Sequence, residues 1–120
     1  MNIHESAENY LETIYMLTRV RGNVRAVDVA AELGFSKPSV SIAMKNLRQH
    51  GYIATAEDGG LTLTDTGLAV ALKMYERHTL LAAWLQRLGV SEAAALQDAC
   101  RIEHVISEET FAALKRGIQE

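Results

Sequence analysis

Between Ala26 and Thr64 two segments of helical apolar spacing give way to two of strand spacing, and few folds can satisfy that pattern. Val27 to Leu33 follows a helical period and stops at Gly34. Ser36 then stands where a helix N-cap belongs, and Pro38 falls in the first turn, where its missing N–H costs little. The helix so opened runs to about His50, with Val40, Met44 and Leu47 on one face and Gly51 at its end. The period then shortens. Tyr52-Ile53-Ala54-Thr55-Ala56 and Leu61-Thr62-Leu63-Thr64 are β-prone runs around the acidic turn Glu57-Asp58-Gly59-Gly60, the signature of a hairpin.

Upstream, residues 5–20 carry Tyr10, Leu11, Ile14, Tyr15 and Leu17 at helical spacing, with Met16 offset, and Gly22-Asn23 ends the segment. Helix, helix, turn, helix and hairpin in this order is the plan of a winged helix-turn-helix. Downstream, a long helix is predicted from Asp65 to about Leu88. Leu68, Leu72, Tyr75, Leu81, Trp84, Leu85 and Leu88 are too many large apolar groups for an exposed stalk. Gly89 closes it. Ser91-Glu92 opens a helix reaching about Val105, and Ser107-Glu108-Glu109 opens a last one ending near Gly117. The expected fold is mostly α with a small β-hairpin: a winged helix-turn-helix over residues 1–64 and a helical domain over residues 65–120.

The formal net charge of −3 hides an asymmetry. From Arg19 to His50 six basic residues face two acids, a local balance of +4, whereas the remainder is acidic. That points to a phosphate-facing lobe joined to a lobe of another purpose. In helix-turn-helix proteins the second helix of the motif enters the major groove with its N-terminal residues nearest the bases. Here that end reads Ser36-Lys37-Pro38-Ser39-Val40-Ser41. Ser36, Ser39 and Ser41 allow close backbone approach and can bond to phosphate or base edges, although Ser36 is equally explained as a cap alone. The Pro38 ring can touch thymine methyls, and Lys37, Lys45, Arg48 and Arg25 can hold phosphates. No Arg, Asn or Gln occupies the first turn, so specificity must draw on DNA shape, apolar contacts and paired half-sites. A dimer is the expected DNA-binding unit.

No segment approaches the run of about 18 apolar residues that a membrane span requires, and the N-terminus lacks a signal-peptide core. A soluble, cytoplasmic protein is expected. The single cysteine, Cys100, cannot close an internal disulfide and so leaves a thiol to explain. It begins the run Cys100-Arg101-Ile102-Glu103-His104. On a helix, positions i, i+3 and i+4 share a face, so Cys100, Glu103 and His104 converge. Thiolate, carboxylate and imidazole together suit Fe²⁺, Mn²⁺, Co²⁺, Ni²⁺ or Zn²⁺ and not Ca²⁺ or Mg²⁺. The competing account makes Cys100 core filling and leaves Glu103 and His104 in solvent. Asn9 and Glu12 place oxygen donors in the apolar pattern of the first helix, and His78 stands midway along the long one. The competing account puts His78 on the surface beside Arg77.

Three segments carry a family likeness. Glu8-Asn9-Tyr10-Leu11-Glu12-Thr13-Ile14-Tyr15, Arg77-His78-Thr79-Leu80-Leu81 and Cys100-Arg101-Ile102-Glu103-His104-Val105-Ile106-Ser107 resemble the diphtheria-toxin-repressor family, which includes iron-dependent repressors and manganese-transport regulators. The resemblance spans essentially the whole chain, in its short form without the SH3-like domain. It implies a homodimer, formed through the helices after the wing, that binds double-stranded operator DNA and represses metal-uptake genes when metal is replete. It also implies a ligand set of Asn9, Glu12, His78, Cys100, Glu103 and His104. Asn9 stands where the iron branch usually has methionine and the manganese branch aspartate. Glu12 resembles the manganese branch and Cys100 the iron branch, and the thiolate tilts the expected metal from Mn²⁺ slightly towards Fe²⁺. The iron branch's ancillary site is represented by Ala82 and Leu96, which cannot ligate. Two other classes remain open on the residues alone. One is a winged-helix regulator blind to metal, holding an organic effector near Trp84; the other is a metalloenzyme, disfavoured because no nucleophile–base pair or phosphate-cradling loop accompanies the ligands.

Overall fold

The computed structural model describes residues 3–119. The elements follow in the order α1 (Ile3–Arg21), α2 (Ala26–Leu33), α3 (Lys37–Gln49), β1 (Ile53–Thr55), β2 (Leu61–Leu63), α4 (Asp65–Arg87), α5 (Glu92–Val105) and α6 (Glu108–Gln119). Every expected element is present, and the hairpin strands are shorter than the β-prone runs.

The helix-turn-helix is built by local chemistry. The Asp28 carboxylate accepts the Arg25 backbone N–H (2.9 Å) and pairs with Arg21 (2.8 Å), which fixes the entry to α2. Gly34 ends α2 in the left-handed region at φ 69°, where a side chain would be strained, and turns the chain sharply into α3. The Ser36 hydroxyl accepts the Ser39 N–H (3.3 Å), as an N-cap should. Val40, Met44 and Leu47 are then buried, beside Leu11, Ile14 and Leu17 of α1 and Val29 of α2. Each such side chain contributes roughly 1.5–3 kcal/mol on burial.

The wing is an antiparallel pair with Ile53 opposite Leu63 and Thr55 opposite Leu61. Val24 extends it by accepting the Leu61 N–H (2.6 Å). Its far end is tied to the start of α4. The Thr64 hydroxyl donates to the carbonyls of Gly51 and Tyr52, and accepts the Gly67 N–H (3.1 Å) as the N-cap of α4.

Packing divides the chain inside α4, into Met1–Leu72 and Lys73–Glu120. The first two turns of α4 belong with the winged helix because Ala71 is buried in that core. In the second unit Leu81 and Ala82 of α4 bury against Ala99 of α5, with Trp84, Ile102, Ile106 and Leu114 around them. Ion pairs Lys73–Glu108 and Lys115–Glu76 clip α6 to α4. The apolar density of α4 led to an expectation of broad burial. Leu81 meets it, but Leu68 and Leu72 of α4 and Leu88 just beyond its end stay exposed.

Candidate metal centre

In the second unit Cys100, Glu103 and His104 form one cluster, and His78 approaches it through Glu103. Helical spacing puts Cys100, Glu103 and His104 on one face of α5, and one donor atom from each lies within 4.8 Å of the other two. Packing of α4 on α5 adds His78. The Glu103 carboxylate is fully buried between two imidazoles: Oε1 is 3.4 Å from His104 Nε2, and Oε2 is 3.7 Å from His78 Nδ1. The His78 and His104 side chains are only 19% and 9% exposed, whereas Cys100 is exposed.

These separations fit a shared cation. They exceed the roughly 2.7–3.2 Å of an N–H···O hydrogen bond. Donors held at about 2.0–2.3 Å from a common transition metal stand about 3–3.7 Å apart. His78 Nδ1 is also buried with no hydrogen-bond partner, a costly state for an imidazole that has nothing to hold. Two nitrogens, a carboxylate and a thiol form a borderline-soft set. The account that left Glu103 in solvent is excluded by its complete burial.

Asn9 and Glu12 lie one turn apart on α1 in the first unit. Asn9 is half-buried, and Glu12 is buried with an Oε2 that lacks a hydrogen-bond partner. At the positions of the ancillary site, Ala82 is buried and Leu96 is exposed, neither with a donor atom. Trp84 is half-buried in the apolar cluster of the second unit.

The expected DNA-reading residues are all exposed: Arg25 at the entry to α2, then Ser36, Lys37, Pro38, Ser39, Ser41, Lys45 and Arg48. Three of them have internal partners. Besides capping, the Ser36 hydroxyl donates to the Ser39 hydroxyl (2.8 Å), and Arg48 Nη1 donates to Thr55 Oγ1 of the wing (3.2 Å). Sequence reading passed over Ile42. It is 64% exposed on the side of α3 opposite Val40, a large apolar group in the middle of an otherwise polar face. An isoleucine out of phase with the buried stripe was the available signal.

Known proteins match both halves of the chain. Residues 2–61 match the N-terminal DNA binding domain of iron dependent repressors, and residues 64–119 match their metal binding and dimerisation domain. The transcriptional regulator MntR of Escherichia coli O157:H7 is 40% identical over 116 residues, covering 97% of this chain and 75% of that protein. An HTH-type transcriptional regulator MntR of Geobacillus kaustophilus is 34% identical over 102 residues, covering 85% of this chain and 72% of that protein. A solved manganese-dependent transcriptional repressor in complex with manganese aligns with a TM-score of 0.85 at 27% identity, covering 94% of this chain and 52% of its own. The metal-dependent transcriptional regulator MtsR aligns with the same TM-score and identity, over 94% of this chain and 53% of its own. The chain thus spans about half the length of these two solved structures. Both halves of the chain match in the expected order, and these relatives are regulators, not enzymes. The chain belongs to the iron-dependent repressor family of metal-dependent, DNA-binding transcriptional regulators.

Proposed function

We propose that this chain represses metal-ion homeostasis genes by binding operator DNA as a homodimer when Fe²⁺ or Mn²⁺ is bound. Residues 1–64 read DNA, and residues 65–120 hold the metal and the partner subunit. The observation that carries the reading is the buried Glu103 carboxylate set between His78 and His104, with the Cys100 thiol in the same cluster.

In this proposal Asn9 and Glu12 complete the ligand set. The resemblance supports them, and so does a Glu12 oxygen that is buried without a partner. Glu12 contributes more than Asn9, whose amide oxygen carries no charge. A bound divalent cation supplies the positive charge that offsets carboxylates otherwise driven apart. Recruiting Glu12 engages α1, whose Leu11, Ile14 and Leu17 share a core with α3. That engagement sets the separation of two recognition helices in the dimer. The dimer contact draws on the apolar surface that Leu88, Leu96 and Val105 leave exposed. Metal shifts the equilibrium only through its differential affinity for the DNA-competent form, so operator DNA tightens metal binding by the same factor.

The experiment is a fluorescence-anisotropy titration on a duplex selected from random sequence by the metal-loaded protein. Binding is expected with Mn²⁺ or anaerobic Fe²⁺ and is lost on adding a chelator. Equal binding with and without chelator overturns the metal dependence and revives the effector-sensing alternative. Manganese appears in the names of relatives, whereas the thiolate favours iron. Cys100→Asp is therefore expected to move the Fe²⁺/Mn²⁺ affinity ratio towards manganese by about 10-fold. Equal loss for both metals would remove Cys100 as the selectivity ligand.

On the DNA face, Lys45→Ala should weaken binding to all sequences alike and reduce the salt slope by about 1, as the loss of one phosphate contact requires. Ile42→Ala should leave that slope unchanged and relax discrimination for a thymine at one position in each half-site. Binding measured across salt concentrations and a set of single-substitution duplexes separates the two roles.

A further inference from the structure

Arg77 stands one residue before His78 on α4, yet it is buried, with only 4% of its surface exposed. Its Nη1 donates to the carbonyl oxygens of Glu103 and Ile106, each at 2.9 Å. Its guanidinium carbon lies 5.3 Å from the centre of the Phe111 ring, so α6 supplies a platform for the cation. Helix α5 ends at Val105, with Ile106 as its extended C-cap. The last carbonyls of a helix have no partner within it, and its C-terminus carries partial negative charge. Arg77 answers both needs at the turn that carries Glu103 and His104.

From this geometry we infer that Arg77 is a positioning residue for metal binding: it clamps the final turn of α5 so that Glu103 and His104 already face Cys100 and His78 before metal arrives. The inference rests on the metal reading above. It explains why a buried arginine is kept although its Nε has no hydrogen-bond partner, a cost an apolar residue would avoid. One side chain joins the backbone of two ligand-bearing helices, because the residue after it on α4 is His78 and the carbonyl it holds on α5 is that of Glu103. Partners that orient metal ligands typically alter metal affinity by about 10–100-fold when removed.

The test uses Co²⁺ added to the reduced, metal-free full chain under anaerobic conditions, followed by the thiolate-to-cobalt charge-transfer absorbance. Arg77→Lys keeps the charge and the aliphatic stem but loses the planar fork. It is expected to weaken Co²⁺ binding by about 10-fold or more, with the circular dichroism of the metal-free protein unchanged. A lower thermal midpoint combined with parental Co²⁺ affinity marks a purely structural arginine and overturns the proposal. If the lysine variant loses its helical signal, Phe111→Leu decides. It removes the platform and keeps the fork, and parental affinity there overturns the proposal. A parental protein with no charge-transfer band defeats the metal reading first. A parent that binds, beside an R77K that binds equally, defeats the positioning role alone.

Discussion

Replacing Glu103 by glutamine is expected to cost the protein its metal response while leaving the metal-free fold as stable as before, or more so. Glu103 is fully buried, and a buried ionised carboxylate carries a desolvation penalty of several kcal/mol. Its carboxylate oxygens lie 3.4 Å from His104 Nε2 and 3.7 Å from His78 Nδ1, a charged group set against two imidazoles. Glutamine has almost the same shape and no charge, so the desolvation penalty falls and the packing stays. Metal affinity should fall by about 100-fold or more, beyond the usual effect of losing a residue behind the ligands. The metal-free thermal midpoint should hold or rise by roughly 2–4 °C. If Glu103 instead served only as an ion-pair partner for protonated histidines, both signs would reverse. Breaking a buried pair costs about 3–5 kcal/mol, which would lower the midpoint by roughly 10–20 °C and leave Mn²⁺ affinity intact. Calorimetric Mn²⁺ titration and a thermal melt of the same variant separate the two.

What could be read from the chain followed the range of the forces involved. The caps at Ser36 and Ser91, the stops at Gly34, Gly51 and Gly89, and the hairpin turn are all set within a few residues, so the elements fell where the pattern placed them. The convergence of Cys100, Glu103 and His104 needs only the helical repeat. His78 is different. Beside Arg77 it had a plausible life as a surface residue, and nothing local contradicts that. Only the packing of α4 on α5, through Leu81, Ala82 and Ala99, turns both residues inward and puts Arg77 on the carbonyls of α5. The exposed leucines of α4 show the opposite failure. Apolar density along a helix says how much surface seeks cover, not whether the same chain provides it.

Two glycines in helices should respond to alanine with opposite signs, and the difference lies entirely in tertiary contact. In an ordinary helix interior, glycine to alanine stabilises by up to about 1 kcal/mol, through reduced backbone entropy in the unfolded chain. Among the described residues Gly117 of α6 has no atom outside its own stretch of helix backbone within 4 Å of where a Cβ would stand, so Gly117→Ala should show that gain, reduced by its place near the end of the helix. Gly67 in the first turn of α4 reads as the same kind of residue. There a Cβ would lie 2.0 Å from the Tyr52 carbonyl oxygen, a backbone atom that no rotamer change can move aside. The carbonyl is itself held by the Thr64 hydroxyl and N–H, and Thr64 also caps α4 through Gly67 N. Gly67→Ala must therefore push apart the end of α3 and the start of α4, losing those bonds together. The expected cost is about 3 kcal/mol or more, a fall in thermal midpoint of roughly 10 °C. Tyr52 lies three residues beyond the end of α3, so the shift should also weaken operator binding while Co²⁺ affinity at Cys100 stays near parental. A Gly67→Ala protein that melts at the parental temperature would show that the α3–α4 junction tolerates a gap, and that its hydrogen bonds do not hold the recognition helix in place.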